Sequence, residues 1–356
     1  MEQIIVSSPG KIILMGEHAV VYGRPAIIAA VGTRMFITLT PRNDKTSEII
    51  LENFKLKVRL SGQKIIGITE KANIDWREYR RTNNIALLKS ITENPVEYIV
   101  IIIGETLKYF HKSLPTVFSL SINSEISIGC GMGSSAALAV SVAAAVSEFL
   151  GEKWDLKKIN AIAFLAEQKR HGNPSGGDTS ASCYGGLISY RREGTDKKVI
   201  EPLNFSIPVH VADKFILVDS GKPIESTGEM VASVAAFKGQ KPKFVEAVFE
   251  TQEKLTERLV SALKNGSEDK IISIIQKGEK NLGKLGVVSP LVKSLVKEIE
   301  KMGGSAKICG AGGVKSGSGM LLVYHRNKIE LQALLKNKKI SYFPVELGAE
   351  GVRREL

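Results

Sequence analysis

Four short segments concentrate glycine together with residue types that bind or move charge. The run Gly129-Cys130-Gly131-Met132-Gly133-Ser134-Ser135-Ala136-Ala137-Leu138 leads straight into a helical pattern. Glycines let a backbone approach an anion closely, and the free N–H groups of a first helical turn point at it. The helix dipole adds about half a positive charge there. Ser134 and Ser135 could cap the helix, bind phosphate oxygens or hold Mg2+; a plain glycine turn with a serine cap is the structural alternative. Two familiar phosphate loops are excluded. Val314-Lys315-Ser316 lacks the glycine that precedes a Walker A lysine, and the 129–133 run lacks the third glycine of a dinucleotide fingerprint.

In Pro9-Gly10-Lys11-Ile12-Ile13-Leu14-Met15-Gly16-Glu17-His18-Ala19-Val20-Val21-Tyr22-Gly23, Lys11 and the pair Glu17-His18 interrupt an apolar stretch. Such groups are costly to bury without partners. A salt bridge or a satisfied core histidine would explain each alone, but their clustering beside glycines points to a site. The third segment, His171-Gly172-Asn173-Pro174-Ser175-Gly176-Gly177-Asp178-Thr179-Ser180, presents one carboxylate after two glycines, where an aspartate is either a turn former or a proton acceptor. Upstream, Glu167 follows Ala163 by four residues and borders the buried face of its helix, so it needs a cation, either Lys/Arg or a metal ion. The fourth segment, Lys307-Ile308-Cys309-Gly310-Ala311-Gly312-Gly313-Val314-Lys315-Ser316-Gly317-Ser318-Gly319, is either a flexible connection or a second surface where backbone meets ligand.

The elements that must position these segments form an α/β pattern. Strands are expected at Ile4-Ile5-Val6 and Ile12-Ile13-Leu14 around a Pro9-Gly10 turn, and at 35–40, 54–60, 117–122, 215–218 and 320–324. Helices are expected over 82–91, 96–110 and 133–150. Others follow from an Asp155 cap to Lys169-Arg170-His171-Gly172, and over 243–264, 270–280 and 291–302. At 356 residues the chain exceeds the size of one ordinary core, so two domains are expected, 1–205 and 206–356, with the boundary inside 200–210.

Composition excludes several classes. The charge-free stretch Ile126–Ser147 is long enough to span a membrane but is built of Gly, Ala and Ser, so it is read as buried in protein. Met1-Glu2-Gln3 lacks the basic start of a signal peptide, so no targeting segment is expected. Cys130, Cys183 and Cys309 show no metal spacing and fit a reducing cytoplasm. The net charge of +12 is not organised with aromatics as a nucleic-acid surface would be, and it would welcome an anionic small molecule.

Taken together, the four segments resemble the motifs of the GHMP kinases in their mevalonate-kinase form. Pro9–Gly23 is similar to the family's first motif, in which P-G-K and G-E-H-A-V-V-Y-G occur together. Gly129–Leu138 resembles its phosphate loop, His171–Asp178 its H-G-N-P-S-G-x-D stretch, and Lys307–Gly313 its third motif. The resemblance implies a ribosomal-protein-S5-like N-terminal domain and a ferredoxin-like α+β C-terminal domain with the active site in the cleft between them. It also implies ATP- and Mg2+-dependent phosphorylation of the 5-hydroxyl of mevalonate, a step of isoprenoid biosynthesis, in a cytoplasmic homodimer. Asp178 would take the hydroxyl proton, and Lys11 would lower that hydroxyl's pKa and steady the developing charge. Glu17 and His18 would line the substrate pocket, with Gly310, Ala311 and the pair Ser226-Thr227 also at the substrate. Gly129, Gly131, Met132, Gly133, Ser134, Ser135 and Ala136 would hold the ATP phosphates, and Ser135 with Glu167 the Mg2+.

Two departures stand out. Val314-Lys315-Ser316 intervenes before Gly317-Ser318-Gly319, and Gly228 stands where many members carry a basic residue. The rivals are another GHMP kinase acting on phosphomevalonate, galactose or homoserine, and a metabolite-binding homologue without catalysis. Galactokinases follow G-E-H with an Asp/Tyr/Asn set that is absent at Ala19-Val20-Val21. A mere sensor would not need Lys11, Asp178, Ser135 and Glu167 together.

Overall fold

The computed structural model describes residues 2–88, 91, 94–127, 129–172, 174–193 and 197–355. It contains two sheets. The larger is eight-stranded, with β1 (Ile4–Met15) and β2 (Ala26–Pro41) at its centre. The first half of β2 pairs with β6 (Leu187–Glu193) and its second half with β5 (Phe118–Ser124). Strands β3 (Ser47–Leu51) and β4 (Leu56–Leu60) extend the sheet beyond β5, β7 (Lys197–Pro202) extends it beyond β6, and β12 (Arg353–Arg354) returns to pair with β1.

The two strands and turn expected over 4–14 are one strand. Pairing continues through Pro9-Gly10 because a register shift there absorbs the proline, which has no N–H to give the ladder. The helix expected over 82–91 is also corrected. A 21-residue helix, α1 (Gly62–Thr82), ends where that one was to begin, because Asn83 takes a left-handed conformation and its N–H bonds back to Tyr79 O at 2.7 Å. A short 3-10 turn covers Ile85–Leu88, and residues 89–90 of the expected helix lie outside the described residues.

Four helices form a layer over the larger sheet: α3 (Ser134–Phe149) and α5 (Gly177–Tyr184) touch it, and α2 (Pro95–Phe110) and α4 (Leu156–His171) pack against α3. Ile99, Ile101, Ile102 and Ile103 of α2 are wholly buried, each worth about 1.5–3 kcal/mol. The charge-free stretch becomes α3, whose alanines let it lie close to β1 and β2. The Ser8 hydroxyl fixes it there, donating to Ala137 O at 2.7 Å and lying 3.0 Å from Ser141 Oγ. Among the described residues no helix is long and apolar enough to cross a membrane. Asp155 caps α4 as expected, accepting from the N–H groups of Lys157 and Lys158.

The smaller sheet is antiparallel, in the order β11 (Tyr342–Pro344), β8 (Phe215–Asp219), β10 (Met320–Tyr324) and β9 (Ser305–Ile308). Around it lie α6 (Val209–Ala212), α7 (Thr227–Gln240), α8 (Pro242–Lys264), α9 (Glu268–Lys284), α10 (Pro290–Lys301) and α11 (Lys328–Asn337). Helix α8 also touches β1 and β2. One hydrophobic cluster runs from Val6 and Ile37 to Leu259 and Leu322, so the two sheets share a continuous apolar core.

Candidate active site

The glycine-rich loop before α3 is docked on β1. The Lys11 N–H donates to Met132 O at 2.9 Å, and a Cβ on Gly10 would stand only 3.0 Å from that same oxygen. Gly129, Gly131 and Gly133 all have positive φ, between +70° and +80°. A Cβ on Gly133 would lie 2.8 Å from Lys11 Cγ, so the lysine stem crosses the loop where only glycine leaves room. The serine cap does not form. Gly133 is the N-cap, so the first-turn amides of Ser134, Ser135 and Ala136 have no side-chain cap and carry the positive end of the dipole.

Asp178 comes to the same place from the opposite side. Gly176, left-handed at φ +84°, starts α5, and Asp178 occupies its first turn. Lys11 Nζ and Asp178 Oδ2 lie 3.1 Å apart, the lysine side chain 6% exposed and the aspartate 40%. Among the described residues Asp178 is the sole side-chain partner of that ammonium, which leaves donors free for a ligand oxygen. Asn173 of the same segment lies outside the described residues.

Glu17 and His18 sit behind this pair at the end of β1. Glu17 is buried against Lys307 of the fourth segment. Burial pushes the Glu17 carboxyl above its ordinary range while Lys307 opposes the shift. The Lys307 ammonium also donates to Ile13 O at 3.2 Å and to Ile308 O at 2.7 Å. His18 holds φ +60°, a region costing a non-glycine residue about 1–3 kcal/mol, and its Nε2 lies 3.0 Å from Ala311 O. Burial lowers the His18 pKa, so the ring is neutral and Nε2 is the donor in that bond. A second buried carboxylate, Glu279 of α9, accepts from the Ile308 N–H at 3.1 Å and is pushed up to about 7, chiefly by burial.

Ala311 thus meets His18 through its carbonyl, and Gly310 next to it has open space where a side chain would be. Ser226 caps α7 in a reciprocal capping box with Glu229, and both it and Thr227 are exposed. The 314–319 extension packs on the segment after β8. Ser318 N–H donates to Ser220 Oγ at 3.0 Å, and Ser316 Oγ donates to Lys222 O at 3.2 Å.

Glu167 and Ser135 are joined through a residue given no role from sequence. His171 Nε2 lies 3.4 Å from Ser135 Oγ and 3.6 Å from Glu167 Oε2. Tyr98, also missed, donates its hydroxyl to Glu167 Oε1, and Arg170 lies over its ring at 4.6 Å. His171 opens the third segment and was legible as part of it. Tyr98 had no signal, since a tyrosine in an apolar helix reads as core. Among the described residues no three His, Cys, Asp or Glu side chains could hold a metal by themselves. The pair still fits Mg2+: one hydroxyl and one carboxylate, both oxygen donors, beside an anion-binding helix start, with the remaining ligands coming from phosphate and water. His171, with 44% of its side chain exposed, has room to turn away.

The chain is similar to known proteins along nearly its whole length. Residues 98–186, spanning α2, the glycine loop, α3 and the Asp178 turn, match the family described as GHMP kinases N terminal domain. The mevalonate kinase of Schizosaccharomyces pombe is 28% identical over 99% of this chain and 91% of its own length. That of Methanocaldococcus jannaschii is 28% identical over 96% of this chain and 98% of its own. The crystal structure of the Methanococcus jannaschii mevalonate kinase superposes with a TM-score of 0.78 at 25% identity, covering 97% of this chain and 98% of that one. Residues 98–186 thus carry the match to the GHMP kinases N terminal domain, and the chain is similar end to end to relatives of one activity, the mevalonate kinases.

Proposed function

We infer that this chain is a mevalonate kinase, transferring the γ-phosphoryl group of ATP to the 5-hydroxyl of mevalonate to give 5-phosphomevalonate and ADP. The observation that carries the reading is the 3.1 Å contact of Lys11 with Asp178 beside the uncapped start of α3. Phosphoryl transfer asks the protein for position, charge neutralisation and help to the attacking oxygen. The amides of the 131–135 loop and α3 start hold the phosphates, with Gly129, Met132 and Ala136 shaping the loop. Asp178 accepts the hydroxyl proton as the new O–P bond forms, and its exposed side returns that proton to solvent. Lys11 spends its free donors on the attacking oxygen and the transferring group.

Glu17, His18, Gly310 and Ala311 shape the pocket for the acceptor, with Ser226-Thr227 at its outer edge. Ser135 and Glu167 would hold Mg2+, which neutralises phosphate charge when bound. The enzyme works in the cytoplasm as a homodimer, feeding isoprenoid synthesis. The test is ADP release with mevalonate, phosphomevalonate, homoserine and galactose as acceptors. Turnover with mevalonate at least a hundredfold above the others is expected. A preference for any other acceptor would reassign the substrate, and no ADP release with any of the four would remove the kinase reading.

A further inference from the structure

The 314–319 extension has a use that the reading above does not assign. Its residues clamp the turn that follows β8. The Gly319 N–H donates to Gly221 O at 3.0 Å, the Ser220 hydroxyl to Gly319 O at 2.6 Å, and the Val314 N–H to Glu225 Oε2 at 3.4 Å. A Cβ on Gly317 would stand 2.2 Å from the carbonyl oxygens of Ser220 and Gly221, so the two strips of backbone are in direct contact. Next to this clamped turn, the start of β10 meets the glycine loop, where the Met320 N–H donates to Cys130 O at 3.4 Å.

At the tip of that turn is Lys222. Its Cε ends 3.4 Å, and its Nζ 3.8 Å, from where a Cβ on Gly129 would stand. The two carboxylates nearest in sequence are turned elsewhere: Asp219 accepts from the Gly221 N–H at 2.9 Å, and Glu225 takes the Val314 N–H. Among the described residues Lys222 forms no ion pair, and it is exposed. An unpaired ammonium has no reason of stability to lie over a glycine loop, but a polyphosphate on that loop would give it one.

We propose that Lys222 is a nucleotide-phosphate ligand, brought over the glycine loop by the turn after β8 and held there by the 314–319 extension. The proposal rests on the kinase reading and adds a cation from the smaller sheet's side of the cleft. It predicts a grip on the polyphosphate rather than on the nucleoside or the acceptor.

Calorimetric titration of the full chain with MgAMP-PNP and with AMP, for the parent, Lys222→Met, Lys222→Gln and Lys222→Arg, tests it. Removing the charge is expected to weaken MgAMP-PNP about 10–100-fold, the loss of one charge-assisted hydrogen bond. AMP binding stays within about twofold, and Lys222→Arg recovers most of the loss. Parent-like MgAMP-PNP binding in both neutral variants overturns the proposal while ADP release by the parent keeps the kinase reading. An equal loss for AMP and MgAMP-PNP also overturns it, since the residue would then be merely structural. A parent that does not bind MgAMP-PNP at all removes the kinase reading and this inference together.

Discussion

Two lysine–carboxylate pairs lie within one site and differ in almost every physical respect. Lys307 and Glu17 are 0% and 1% exposed, and the three donors of Lys307 go to Glu17 and two backbone carbonyls. Lys11 and Asp178 meet at 3.1 Å with the carboxylate 40% exposed. The Lys307 ammonium is saturated, so this pair holds the end of β1 against the start of the fourth segment, and of the pair's polar atoms only Glu17 Oε2 is left without a partner among the described residues. The second has unused donors and a wet acceptor, which a substrate hydroxyl can enter. Desolvation separates them: the buried ammonium has spent all its donors inside the protein, whereas the open pair keeps donors for a ligand.

Substitutions should therefore divide into losses of rate and losses of fold. Asp178→Asn is expected to lower kcat by roughly 10²–10⁴ with ATP affinity and melting temperature little changed, as for loss of a general base. Turnover near that of the parent would remove Asp178 from the chemistry. Lys307→Met is expected to cost about 3–5 kcal/mol of unfolding free energy, because Glu17 is left buried and alone. Adding Glu17→Gln should return part of it in denaturant titrations, and strict additivity of the two changes would mean that the pair is not coupled.

Glu279 sharpens the same contrast through pH. Its carboxyl is raised from 4.5 to about 7, so the folded state holds a proton that the unfolded chain releases. The stability this provides is complete below pH 4.5 and is lost as pH rises to about 7. Relative to Glu279→Gln, the parent should lose roughly 3 kcal/mol across that window, and parallel stability–pH curves would contradict the burial argument. The smallest effect is expected for Glu167→Gln, about tenfold in the Mg2+ concentration needed for half-maximal rate. Superimposable Mg2+ titrations of variant and parent would take Glu167 out of the metal site.

Legibility followed local physics. The cap at Asp155, the glycine stop at Gly172 and the apolar runs of α2 and α3 depend on residues a few positions apart, and these elements stand where sequence put them. Helix α1 escaped because only Ile65, Thr69 and Ala72 of its 21 residues are buried, too sparse a stripe to announce a helix. The Pro9-Gly10 dipeptide read as a turn because local preference favours one, but pairing with β2 on both sides carried the strand through.

From the sequence alone came the resemblance to the GHMP kinases, the reaction class that it implies and the residues bearing charge, because four motifs of that family occur together and in its order. Tertiary structure decided which of them face each other. Asp178 reaches Lys11, Lys307 closes on Glu17, His171 stands between Ser135 and Glu167, and Lys222 hangs over Gly129. Those contacts join residues as many as 290 positions apart. The chain's periodicity carries no record of such distances; they are set by how helices and sheets bury their apolar faces against one another.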